Sequence, residues 1–115
     1  MMDTKKITPE ILNLSLNLAL EWGENWLAPI QERLIKEIPT LTLNETNDLN
    51  LLAKTVRQDI NSFIYKTLDA KGVETEQLKE ILSEYVKEKY SWIDQENFSR
   101  LFSQGCYYAW KDGLL

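Results

Sequence analysis

Cys106 is the lone thiol in a 115-residue chain that contains no histidine. A thiol attacks as its thiolate, and in enzymes a neighbouring histidine usually takes the proton. Here a lysine or a carboxylate would have to serve. Cys106 also falls at the edge of an apolar helical stripe, where a small buried side chain is the simpler assignment. The missing histidine removes most hydrolytic triads, most zinc sites and the carboxylate–histidine di-iron bundle. No glycine-rich phosphate loop and no oxygen-rich loop with calcium spacing occurs. Glu21 and Glu24 are proton carriers in principle, but nothing in the sequence pairs them across a cleft. The expectations are no catalytic residue, no cofactor and no tightly bound metal.

Aromatic side chains have more to offer. At 100° per residue, Tyr107 and Trp110 project about 130 to 170° away from the stripe of Phe98, Phe102 and Gly105. Tyr65 likewise points away from Val56, Ile60 and Phe63. Exposed Trp and Tyr often anchor protein interfaces, because each joins a large apolar body to a polar handle. Tyr107, Trp110 and Tyr65 are therefore the candidate interaction surface. The alternative is that the first helix or the N-terminal arm covers them. Trp22 and Trp26 share a face with Ser15 and Ala19, and core packing suits them better than a ligand platform. Trp92, at a connection, fits either a hydrophobic staple or a lid.

These side chains need helices to hold them. Leu12, Leu14, Leu16, Leu18 and Leu20 alternate as in a strand, yet Glu10, Asn13, Asn17, Glu21 and Glu24 fall on one narrow stripe at helical spacing. Thr8-Pro9-Glu10 decides for a helix: a hydroxyl at the N-cap, proline at the first helical position and an acid facing the positive end of the dipole. So narrow a polar stripe predicts a central place in a bundle. Pro29 lacks an amide hydrogen, which predicts an end or kink between about Gly23 and Pro29. A second segment covers residues 29–38, and one bent helix and two helices both fit.

Thr42-Leu43-Asn44-Glu45 is a capping box. Leu49, Leu52, Ala53, Val56, Ile60, Phe63 and Ile64 follow at helical spacing up to a stop at Lys71-Gly72. The next helix, from Thr75, buries Leu78, Ile81, Leu82, Tyr85 and Val86, and turns Glu76, Lys79, Glu80, Ser83, Glu84, Lys87 and Glu88 to solvent. The last starts at Ser91 or Asp94, places Phe98, Leu101, Phe102, Gly105 and Ala109 inward, and ends at Gly113. Glycine costs about 1 kcal/mol relative to alanine in an exposed helix interior, so Gly105 on the apolar stripe predicts a close helix crossing that offsets the cost.

The expected fold is all-α: a single domain, residues 1–115, forming a compact bundle of four to five helices with short connections and no sheet. Residues 1–7 are expected to form a loose N-terminal arm. The formal charge is −5, and Lys5-Lys6 is the only adjacent basic pair, so nucleic-acid binding is disfavoured. A basic partner, or simple solubility, suits the sign. Residues 11–20 are too short and too polar to span a bilayer, so no membrane partner is expected. The lone cysteine and the lack of a signal-peptide pattern point to the cytoplasm.

The expected function is a non-enzymatic protein-binding module, such as an inhibitor, immunity or adaptor protein. Small acidic helical immunity proteins are similar in size, charge and helix content, a resemblance that transfers no residues. A helical ligand sensor or minor enzyme with an aromatic-lined pocket is one alternative. A homo-oligomeric subunit joined through Tyr107 and Trp110 is the other.

Overall fold

The computed structural model describes residues 7–21, 27–71 and 73–114. Among them every regular element is a helix: α1 (Pro9–Ala19), α2 (Gln31–Glu37), α3 (Leu43–Lys71), α4 (Thr75–Lys89) and α5 (Gln95–Lys111). The fold is all-α, as the periodicity predicts. By its internal contacts the chain divides into two units, Met1–Val56 and Arg57–Leu115, with the boundary inside α3.

In the first unit, α1 starts where its capping residues dictate. Thr8 Oγ1 accepts a hydrogen bond from the Ile11 amide at 3.4 Å, and Pro9 opens the helix. Ile7 precedes the cap and is buried, so the expected loose arm stops short of it. A hydrophobic residue at that position fixes the angle at which the chain enters a helix. Residues 1–6, the rest of that arm, lie outside the described residues.

The helix ends at Ala19, well before Gly23, the first stop expected. A side chain of α2 holds the chain at this end. The Arg33 guanidinium donates to the carbonyls of Leu18 at 3.0 Å, Ala28 at 3.2 Å and Pro29 at 3.4 Å, and pairs with Glu21 at 3.0 Å. It thus adds a charged donor to the Leu18 carbonyl, which also accepts from the Glu21 amide at 3.4 Å, and ties down the chain that leads into α2. Among the described residues, α1 and α2 are separate helices and not one bent helix. Trp22, Glu24 and Trp26, with the choice between core and pocket, lie outside the described residues.

Leu16, Leu18, Leu20, Ile30 and Leu34 are buried, and buried Ser15 donates to the Ile11 carbonyl at 2.8 Å. Ile11, Leu12 and Leu14 keep part of their surface exposed, so α1 is not enclosed on all sides as its narrow polar stripe predicts. Its contacting neighbour α2 has seven residues and covers one side. At the start of α3 the capping box closes as expected: the Thr42 amide donates to Glu45 Oε1 at 2.8 Å, and the Glu45 amide to Thr42 Oγ1 at 3.1 Å. Leu49, Ala53 and Val56 then face inward.

In the second unit, Ile60, Ile64 and Leu68 continue the buried stripe of α3. Leu78, Leu82 and Val86 of α4 are buried, as are Phe98, Leu101 and Ala109 of α5, and the two helices touch. Phe63, Ile81, Tyr85 and Phe102 are only half-buried, as is Leu52 in the first unit. They flank the centres of their stripes, where a long side chain covers the core with one face and meets water with the other.

α4 starts at Thr75 as expected, capped by Glu74, which forms a capping box with Gln77, whose Oε1 accepts from the Glu74 amide at 3.1 Å. Asp94 caps α5, accepting from the Asn97 amide at 2.9 Å. At its other end the Leu114 amide donates to the Ala109 carbonyl at 2.8 Å and the Gly113 amide to Trp110 at 3.0 Å, with Gly113 at φ 84°. This is the Schellman turn that glycine permits. A methyl group on Gly105 would overlap Ile64 Cδ1 and lie 3.3 Å from Asn61 Oδ1, so α3 and α5 make the expected close crossing here. No helix among the described residues is long and apolar enough to cross a membrane.

Candidate functional site

The periodicity of α5 spends its inward positions on Phe98, Leu101, Gly105 and Ala109 and leaves its aromatic C-terminal half facing out. Tyr107 is 44% exposed and Trp110 64%. Their ring centroids lie 6.2 Å apart with the planes tilted by 37°, and Tyr108 meets Tyr107 edge-on at 5.7 Å. Along the same helix Glu96 pairs with Arg100 at 3.6 Å, and Lys111 and Asp112 are exposed. The two off-stripe aromatics of α5 thus form one solvent-facing pair.

Tyr65 has a different task. Its hydroxyl lies 3.0 Å from the Tyr108 carbonyl and within hydrogen-bonding reach of the Asp112 carboxylate, so it ties α3 to the last turn of α5. The bond to Asp112, with burial adding to it, pushes the phenol pKa up to about 12. Cys106 is half-buried, and burial pushes its thiol pKa up, opposite to what a nucleophile needs.

The sequence does not foretell a second cluster, built around Asp59 of α3. Tyr85 donates to Asp59 Oδ1 at 2.9 Å, Tyr90 to Oδ2 at 2.6 Å, and Lys89 to Oδ2 at 3.0 Å. The Lys89 ammonium also lies 5.5 Å from the Tyr85 ring centre and 5.6 Å from that of Tyr90. Phe63 stacks on Tyr85 at 4.0 Å, and half-buried Trp92 meets Tyr90 edge-on at 6.4 Å. This places Trp92 against the end of α4.

Burial raises the Asp59 carboxyl, but the bonds from Tyr90, Lys89 and Tyr85 outweigh it and hold the group below its ordinary value. Burial, then the bond to Asp59, pushes Tyr90 up to about 12. Bonds to Tyr85 and Asp59 hold Lys89 above its usual range. Shifts in these directions keep the carboxylate charged and the phenol and ammonium protonated, which is the behaviour of a structural tie and not of an acid–base pair poised near neutral pH. The available sequence signal is the spacing of Tyr85 and Lys89 on one face of α4. Nothing local separates Asp59 from the other acids among the 18 in the chain.

The solvated face expected on α4 is present, with a shallow groove of about 460 Å³ beside Ile81, lined by Glu80, Ser83, Glu84 and Lys87. Among the described residues no three His, Cys, Asp or Glu side chains come together as a metal site. Comparison with protein-family models, with curated proteins and with solved structures finds no match to this chain.

Proposed function

We propose that this chain is a non-enzymatic, cytoplasmic protein-binding module, of the kind that serves as an inhibitor, immunity or adaptor protein, with Tyr107 and Trp110 anchoring its contact surface. The observation that carries this reading is a tryptophan 64% exposed beside a half-exposed tyrosine on a helix whose inward face is already complete. A buried aromatic side chain covers about 150 to 250 Å², so covering the exposed part of Trp110 alone would gain about 3 kcal/mol at roughly 25 cal/mol per Å². Charge near the pair is balanced, Arg100 and Lys111 against Glu96 and Asp112. Aromatic burial therefore sets the affinity there, and the net charge of −5 favours a basic partner only through acids elsewhere. Neither nucleic acid nor a lipid surface is the partner, and no cofactor takes part.

The test places a photo-crosslinking amino acid at Ser103, which is exposed one turn before Tyr107. Irradiation in cells should give a protein adduct of defined mass, lost when Y107S and W110S are added. Absence of any adduct, or equal yield from the double variant, refutes the reading.

A further inference from the structure

We infer that the occupant of this surface is a second copy of the chain, lying antiparallel along α5 about a two-fold axis near Ser103. The inference rests on the contact-surface reading above and names the partner. Glu96, Arg100, Ser103, Tyr107 and Trp110 follow one another in alternating steps of four and three residues. That is the repeat of a seam along which two helices pack side by side.

The seam is divided by size. Ser99 and Ser103, both small and exposed, occupy its first half, and the large exposed rings of Tyr107 and Trp110 its second. A second copy turned end for end sets the half of the seam that carries the rings against the half that carries the serines, and the symmetry makes that contact twice, as an isologous interface requires. Charge obeys the same operation. With the axis between positions 103 and 104, Glu96 faces Lys111 of the second copy, and the Arg100 guanidinium faces the Tyr107 ring. A parallel pair would instead set Trp110 on Trp110, Arg100 on Arg100 and Glu96 on Glu96. Size and charge both select the antiparallel arrangement.

The dimer is weak and depends on concentration. A helix of 17 residues is about 25 Å long, and one such pair covers less than the roughly 800 Å² per partner of a standard interface. Two copies of charge −5 also repel each other.

Sedimentation equilibrium of the full chain up to about 1 mM tests this, with circular dichroism confirming that each variant folds. Wild type should dimerise, and W110S should weaken the association about tenfold or more. E96K and K111E should each weaken it about threefold, and the E96K/K111E double variant should restore it, because both charges of each cross-pair are exchanged. In a second arm, oxidation should link S103C/C106S into a covalent dimer. It should leave S99C/C106S unlinked, because its two thiols would stand about 13 Å apart along the axis, beyond disulfide reach.

A chain monomeric at every concentration, a double swap that fails to restore association, or cross-linking through position 99 instead of 103 overturns the inference. If the chain stays monomeric while the cross-linker at Ser103 captures a different protein, the contact surface stands and the self-contact falls.

Discussion

A methyl group placed on Gly105 sets two opposed effects against each other. Alanine gains about 1 kcal/mol over glycine in a helix interior. Against that, the new Cβ would overlap Ile64 Cδ1 and press Asn61 Oδ1 at 3.3 Å. Ile64 is 0% exposed, so its terminal methyl has no solvent to move into. Forcing extra carbon into such a site costs about 1 to 3 kcal/mol. The expected net effect of G105A is a destabilisation of about 1 kcal/mol.

I64V removes the terminal methyl and alone costs about 1 kcal/mol. It also leaves Cγ1 of residue 64 at 3.6 Å from the position of the new methyl, an ordinary contact distance. In G105A/I64V the alanine fills the space that valine vacates and keeps its helical advantage. The double variant should then lie near wild type, about 2 kcal/mol above the additive sum. Urea denaturation of the four proteins measures this, with equal m-values as the control. Additivity within about 0.5 kcal/mol, or a G105A variant stabilised by the full helical gain, would refute a tight crossing of α3 and α5.

D59N should cost about 1 to 2 kcal/mol at neutral pH, because the charge that three donors share is lost. Since the folded pKa of Asp59 lies below 3.8, its stabilisation is present above the ordinary carboxylate pKa and is lost as pH falls through the folded value. The gap between D59N and wild type should narrow below about pH 4, and a constant gap would show that the cluster is not ionic. I60A, at a fully buried position, should cost about 2 to 5 kcal/mol. F63A should cost less, about 2 kcal/mol, because that ring is half-buried and its stack on Tyr85 adds only about 1 kcal/mol; equal losses in denaturation would mean a deeper Phe63. In an alkaline absorbance titration, Y65F and Y90F should each delete a phenol that ionises at about 12. A folded pKa raised above 10 adds stability that is complete below that pH and fades as pH rises through about 12, so wild type should lose stability in that window more steeply than either variant. Y107S/W110S should keep its stability within about 0.5 kcal/mol of wild type, and a larger loss in denaturation would make these residues part of the core.

Features whose cause is local were legible in the sequence. Thr8-Pro9 starts α1, Thr42 and Glu45 close a capping box, Asp94 caps α5, and Gly113 ends it with a positive φ. In each case the residues that must cooperate lie within six positions of one another. The tie at the end of α1 was not legible, because Arg33 stands 15 residues beyond the Leu18 carbonyl it bonds. Asp59 escaped for the same reason: its partners stand 26 to 31 positions further on, and no short-range pattern marks one carboxylate as the acceptor of two phenols and an ammonium. Gly105 is the instructive intermediate case. Its misfit in a helix is local and visible, so the crossing could be expected, while the identity of Ile64 as the crossing partner required the fold.

Position off the apolar stripe does not by itself make an aromatic residue a contact residue. Tyr65, Tyr107 and Trp110 are alike in projection, yet the Tyr65 hydroxyl reaches the Tyr108 carbonyl in the last turn of α5, which also accepts from the Asp112 amide at 3.0 Å. That bond holds the Tyr65 ring half-buried against α5. Trp110 carries a single N–H and no acceptor, and 64% of its surface meets water. Its removal strips little from the fold. Truncating Tyr65 would take a hydrogen-bond donor from the Tyr108 carbonyl and the Asp112 carboxylate together. The useful distinction lies in what each polar atom already does inside the chain: Tyr65 is held by the fold, and Tyr107 with Trp110 is where a bound protein has most to gain.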